Sequence, residues 1–167
     1  MLHSDTDQQH SILVVDDFDD TRQMIVTQLR YESYRVIEVK NGRDAIEMMK
    51  SDCPDLVLMD LSLPVLDGLS AAYRIARLEA TCSVPIIACS AHSADTHRAA
   101  ALAVGCKEYI NKPFDIEKLK EMIRRLLSER DGEDKSNTAG RQAADAKAMN
   151  DDELLEYIDG LLQKKDG

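Results

Sequence analysis

The sequence predicts an α/β fold: a doubly wound, five-stranded parallel sheet with strand order 2-1-3-4-5. Two observations predict it. Short apolar runs alternate with helical patterns five times, which calls for parallel strands joined by crossover helices. The first, third and fourth runs are nearly all apolar, as central parallel strands are, whereas the second and fifth carry more charge and suit the edges. Right-handed crossovers then set the order.

Residues 1–10 read as a polar lead-in. SILVV (11–15) is a β-branched apolar run that stops at Asp16-Asp17, a buried strand. Asp19 to Tyr31 is helical, with Met24, Ile25, Gln28 and Leu29 at helical spacing and two acids in the first turn. YRVIEVK (34–40) alternates like a strand, Asn41-Gly42 turns, and Ala45, Ile46 and Met49 mark the second helix. Pro54 precedes DLVLM (55–59), the third strand. Asp67-Gly68 closes the next loop, and Leu69 to Leu78 is a helix with Ala72, Ile75 and Ala76 inward. VPIIACS (84–90) is the fourth strand, and Ser93 to Val104 is an Ala-rich helix ending at Gly105, a C-cap. KEYI (107–110) is the fifth strand; Asn111-Lys112-Pro113-Phe114 breaks it. Asp115 caps a last helix carrying Ile116, Leu119, Met122, Ile123, Leu126 and Leu127.

Beyond this unit (11–129) the composition changes. Residues 130–150 are polar, small and Gly-containing, as a flexible linker is. Residues 151–167 hold an amphipathic helix, with Leu154, Leu155, Ile158, Leu161 and Leu162 on one face. It is a weakly ordered tail, packs on its own domain, docks a partner or self-associates.

The 167 residues carry 21 bases against 31 acids, a net charge of −10, which argues against a broad nucleic-acid or anionic-membrane surface. No apolar run is long enough to span a bilayer, and MLHSDTDQQH lacks the apolar core of a signal peptide, so a cytoplasmic protein is expected. Cys53, Cys82, Cys89 and Cys106 show no metal-binding spacing and are expected to be free thiols. His3, His10, His92 and His97 are expected to be exposed and without catalytic partners.

With this strand order, the switch point lies between strands one and three, and ligands bind there at the carboxyl ends. Asp16 and Asp17 end strand one and Asp60 ends strand three. Three converging carboxylates repel one another unless a hard cation joins them. Mg²⁺ takes one or two carboxylates and leaves room for a phosphoryl oxygen. Strand four ends in Ser90, and Lys112 follows strand five: a hydroxyl and an ammonium suited to phosphoryl oxygens. In this arrangement Asp60 is a nucleophile toward phosphorus, with Mg²⁺ and Lys112 offsetting the charge that develops.

The motifs VVDD (14–17), LVLMDLSLPVLDG (56–68), PIIACSAH (85–92) and EYINKPF (108–114) occur in order. Through them the chain resembles the response-regulator receiver domain of two-component signalling over residues 11–129. The resemblance implies the flavodoxin-like receiver fold, with Asp60 as the phosphoacceptor. It implies that Asp16 and Asp17 bind Mg²⁺, one directly and one through water, and that Ser62 gives its backbone carbonyl to the metal. Ser90 matches the switch hydroxyl, Tyr109 the aromatic switch residue and Lys112 the lysine that contacts the phosphoryl group. Lys112–Pro113 is expected to be cis.

The function this implies is a phosphorylation-activated signalling switch that catalyses only its own phosphorylation and dephosphorylation. Its partners would be a histidine kinase or histidine phosphotransfer protein and a downstream effector protein. The 37 residues after Arg130, with ten acids against five bases, are expected to be too short and too acidic for a DNA-binding element. Helix four with helix five, or the C-terminal helix, offers a route to a homodimer. Segment 90–114 also resembles receivers fused to hybrid kinases, so a phosphorelay shuttle is an alternative, as is a phosphorylation-independent scaffold. An aspartate-nucleophile phosphatase of the dehalogenase kind needs a second aspartate two residues after the nucleophile, where this chain has Ser62.

Overall fold

The computed structural model describes residues 9–78, 83–92, 95–134 and 149–163. Five parallel strands form one sheet: β1 (Ser11–Val15), β2 (Arg35–Val39), β3 (Leu56–Asp60), β4 (Ile86–Ser90) and β5 (Glu108–Asn111), in the order β2-β1-β3-β4-β5. The three central strands are buried along their whole length, whereas β2 is half-exposed. That is the burial which the uninterrupted apolar runs and the charged edge predict.

Among the described residues, six helices connect or follow the strands: α1 (Asp19–Tyr31), α2 (Gly42–Asp52), α3 (Gly68–Ala76), α4 (Asp95–Val104), α5 (Ile116–Asp134) and α6 (Asp151–Leu162). One face of the sheet packs Ile25, Val26 and Leu29 of α1 and Leu119, Ile123 and Leu126 of α5 against Ile12, Leu58 and Ile87. The other face packs α2, α3 and α4 against Leu13, Val57 and Ala88. Alternate strand residues thus serve opposite cores, as the two-residue strand period requires.

Local chemistry sets the helix ends. Asn41 and Asp67 accept from the amides of Asp44 and Ser70 and so cap α2 and α3. Asp115 accepts from the Glu117 amide at the start of α5. Gly105 ends α4 at φ 118°, a conformation that glycine adopts without strain.

Several expectations need correction. In α1 the inward residues are Arg22, Ile25, Val26 and Leu29, and Met24 faces solvent. Of the four residues that mark the helical spacing, Ile25 and Leu29 are buried, Gln28 is half-buried and Met24 is exposed. α5 runs to Asp134, past the expected boundary at 129 and into the expected linker. Arg130 holds it there: its guanidinium reaches the Asp55 carbonyl at 3.1 Å and the Asp55 carboxylate at 2.6 Å. Asp55 also accepts from the Ser11 amide at 2.7 Å, so this clasp joins β1, α5 and the entry to β3. The rest of the expected linker, 135–148, lies outside the described residues. Cys53 is disulfide-bonded rather than a free thiol. Cys89 and Cys106 are free, and burial pushes both thiols up to about 12. His92 is exposed as expected, but His97 is half-buried and stacks on it, with ring centroids 4.5 Å apart; His3 and Cys82 lie outside the described residues. No described helix is long and apolar enough to cross a membrane.

The tail helix follows the five-stranded unit. A capping box between Asn150 and Glu153 starts α6. Leu154 and Ile158 are buried in the core shared by α3 and α4, and Leu161 and Leu162 pack at its edge. Leu155 is half-exposed, so the expected five-residue face is narrower than the sequence pattern.

Candidate functional site

Parallel strands put all their carboxyl ends on one rim, and the predicted chemistry gathers there. Asp16 follows β1, Asp60 ends β3, Ser90 ends β4, and Lys112 follows β5. Asp16 and Asp60 are buried and Asp17 is exposed at the mouth. One carboxylate oxygen from each of Asp16, Asp17 and Asp60 lies within 4.8 Å of the others. Lys112 Nζ stands between two of them, 2.7 Å from Asp16 Oδ2 and 3.3 Å from Asp60 Oδ2.

The backbone aims these groups. Asp16 Oδ1 accepts from the Phe18 amide at 2.9 Å, and Asp60 Oδ1 accepts from the Ser62 amide at 3.0 Å. The Lys112 amide donates to the Ser90 carbonyl at 2.7 Å, which joins the ends of β4 and β5. The Lys112–Pro113 bond is cis, as expected.

Burial pushes the Asp60 carboxyl above its ordinary value; the Ser62 amide and Lys112 oppose the rise and the Asp16 charge adds to it. Burial works against a charged Lys112, but the hydrogen bond to Asp16 and the charge of Asp60 hold its pKa above the ordinary one. Three carboxylates with one ammonium leave excess negative charge in a half-closed pocket of hard oxygen donors. That donor set fits a divalent cation such as Mg²⁺.

Ser90 is fully buried, and its hydroxyl oxygen accepts from the His92 amide at 3.1 Å. Tyr109 is buried at the edge of this region, and its hydroxyl donates to the His92 carbonyl. So Asp16, Asp17, Asp60 and Lys112 form one cluster, while Ser90 and Tyr109 share His92 beside it. Ser62 contributes its amide to Asp60.

Two supporting residues were missed in the sequence. Arg22 is buried, with Nη1 donating to the Asp16 carbonyl at 3.0 Å, Nε to Glu38 at 3.2 Å and Nη2 to Asp19. Its signal was available: positions 22, 25, 26 and 29 share one helical face. Gly68 is the second. A Cβ there would stand 2.1 Å from the Asp60 carbonyl oxygen and 2.6 Å from Leu61 Cα. The Asp67-Gly68 pair thus caps α3 and lets its first turn close against the residue that ends β3.

The chain matches the sequence model of the response regulator receiver domain over residues 12–124 and belongs to that family. It is 37% identical over 120 residues to the chemotaxis protein CheY of Bacillus subtilis, covering 71% of this chain and 98% of that one. It is 35% identical over 119 residues to the phosphate regulon transcriptional regulatory protein PhoB of Pseudomonas aeruginosa, covering 69% of this chain but only 52% of that one. Among solved structures, it is similar to the receiver domain of sensor histidine kinase PA1611 from Pseudomonas aeruginosa, which has a magnesium ion coordinated in its active-site cleft. That match has a TM-score of 0.67 and 35% identity, and covers 72% of this chain and 98% of that one. The protein is therefore a response-regulator receiver of two-component signalling, with the fold that the sequence predicts.

Proposed function

We propose that this protein is a phosphorylation switch in which Asp60 accepts a phosphoryl group from a histidine kinase and the signal leaves by protein–protein contact. The observation that carries this reading is the cluster of Asp16, Asp17 and Asp60 bridged by Lys112 at the carboxyl rim of the sheet. A carboxylate held in a pocket beside an ammonium is placed to attack phosphorus.

In the transfer, an Asp60 oxygen forms a P–O bond as the P–N bond to the donor imidazole breaks, and that electron pair leaves with the imidazole. Asp16, Asp17 and Asp60, with the Ser62 carbonyl, would hold Mg²⁺, which when bound supplies charge against the phosphoryl oxygens. Lys112 exchanges part of its pairing with Asp16 and Asp60 for a phosphoryl oxygen. The Ser90 hydroxyl turns its own proton toward another. Because Ser90 and Tyr109 both hold His92, a change at Ser90 passes to Tyr109 and into the β4–α4 connection. The activity is confined to the protein's own phosphorylation and dephosphorylation. A cytoplasmic setting, where kinase phosphodonors are available, fits this role, and the net charge of −10 favours protein over nucleic-acid partners.

Incubation with a small phosphodonor and Mg²⁺, followed by phosphate-affinity electrophoresis, tests this. Wild type should shift, and neither Asp60→Asn nor chelator-treated wild type should. A shifted Asp60→Asn band would overturn the assignment.

The similarity to a sensor kinase's receiver domain supports a second reading, a carrier that passes phosphate to a histidine phosphotransfer protein. In that case such a partner would drain the Asp60 phosphate rapidly, whereas an effector switch would keep it.

A further inference from the structure

Helix α4 makes contacts at its amino end and along its flank. At its amino end it follows His92, whose amide is held by Ser90 and whose carbonyl is held by Tyr109. The His92 ring also stacks on His97, inside α4. Along its flank α4 forms, with α3, the groove that α6 fills.

The groove is built for a helix. α3 is buried on nearly every side, which a surface helix is not. Leu154 and Ile158 of α6 lie in the same core as Ala100, Ala101 and Val104 of α4. The Met149 amide donates to the Tyr73 hydroxyl at 3.3 Å, and Arg74 on α3 pairs with Asp151. The occupant is thus a segment of this chain, seated among the described residues by apolar burial, by the Met149 amide on the Tyr73 side chain and by an ion pair.

The buried residues of α4 are only Ala100, Ala101 and Val104. These small side chains interlock only shallowly with the sheet, so the packing of α4 on its own domain leaves room for added anchorage. α6 adds to that anchorage in the arrangement that has Ser90 and Tyr109 both on His92.

We propose that the α3–α4 groove is a docking surface for α6 of the same chain, and that α6 docking and phosphorylation of Asp60 oppose one another. Docked α6 favours the α4 position seen here. A phosphoryl group that draws Ser90 off the His92 amide favours another. Two ligands that prefer different states of one element weaken each other equally, by reciprocity. Phosphorylation therefore loosens α6 and exposes Leu154 and Ile158, and removing α6 tightens the phosphoryl-bound state. This inference rests on Asp60 being the phosphoacceptor.

The test uses the full chain, with beryllofluoride and Mg²⁺ as the phosphoryl mimic. Hydrogen exchange is followed at residues 149–162 and amide NMR shifts at Asp60, Ser90 and Tyr109. The variants are L154D with I158D, which undocks α6, and R74A, which removes only the ion pair. The expected result is faster exchange in α6 when the mimic binds wild type. Mimic affinity should rise about fivefold or more in the undocked variant, and less in R74A. If the receiver amides shift while α6 exchange and mimic affinity stay constant, the linkage is overturned and the phosphoacceptor reading stands. If Asp60 and Ser90 do not respond in wild type, both fail together. Sedimentation under the same conditions decides the occupant. A dimer that the undocking variant dissolves would place α6 on a second copy and overturn docking within one chain.

Discussion

The Tyr109 hydroxyl donates to the carbonyl of His92, so a strand-five side chain holds the residue that leads into α4. Ser90, from the neighbouring strand, holds the amide of the same residue. One peptide segment is therefore gripped from two strands, beside the acidic pocket. Tyr109→Phe keeps the ring and deletes the bond. It should cost about 1 kcal/mol in urea unfolding. Mg²⁺ titration should be unchanged, because the hydroxyl touches none of the three carboxylates.

Gly68→Ala should damage the site through the backbone. The added methyl would meet the Asp60 carbonyl oxygen at 2.1 Å, and backbone atoms cannot swing aside. Overpacking costs about 1–3 kcal/mol where side chains can adjust, so a loss of about 3 kcal/mol or more is expected here. Mg²⁺ affinity should fall with it, because the displaced residue is Asp60. Denaturant unfolding and a Mg²⁺ titration check the two parts separately.

Asp60→Asn should raise stability in Mg²⁺-free buffer, by an amount on the order of 1 kcal/mol. It removes one of three neighbouring carboxylates, and Lys112 keeps Asp16 as a partner. Saturating Mg²⁺ should narrow the gap, since wild type gains binding energy that the variant lacks. Thermal melts with chelator and with Mg²⁺ give both values; a variant less stable than wild type in chelator would contradict the repulsion argument.

Asp55 carries the opposite sign. Burial pushes its carboxyl up, but the Ser11 amide and the Arg130 guanidinium outweigh burial and hold it below the ordinary 3.8. A carboxyl with a depressed folded pKa stabilises the fold above its unfolded value. That contribution is lost as pH falls through the folded value. Asp55→Asn should therefore be less stable than wild type at neutral pH, and the difference should shrink below about pH 4. Urea midpoints across that range measure it.

The fold was legible because each level of the sequence agreed. β-branched apolar runs, charged edges and cap residues at the helix starts all point to one topology. The rim cluster was legible for a related reason: parallel strands convert residues far apart in sequence into neighbours at one edge. What stayed hidden depends on side chains that act against type. Arg22 occupies a core position that charge normally forbids, and only its partners at Asp16, Asp19 and Glu38 allow it. Val65 adopts φ 69°, which no β-branched residue advertises, within the turn closed by the Leu66 amide on the Pro64 carbonyl. The disulfide at Cys53 had no signal either, because the sequence around Cys53 carries no pairing motif. α6 was legible as a helix, but its seat was not, because the pattern shows an apolar face and not what covers it.

The clasp of Asp55, Ser11 and Arg130 lies at the amino ends of the strands, a full strand length from the acidic pocket. The sheet therefore divides its labour between two poles. One gathers crowded charge at the carboxyl rim; the other fastens the opposite rim of the open sheet with well-matched pairs. Changes at the clasp can alter robustness without touching the acidic cluster, and changes at the cluster can leave the fastening of the strands intact.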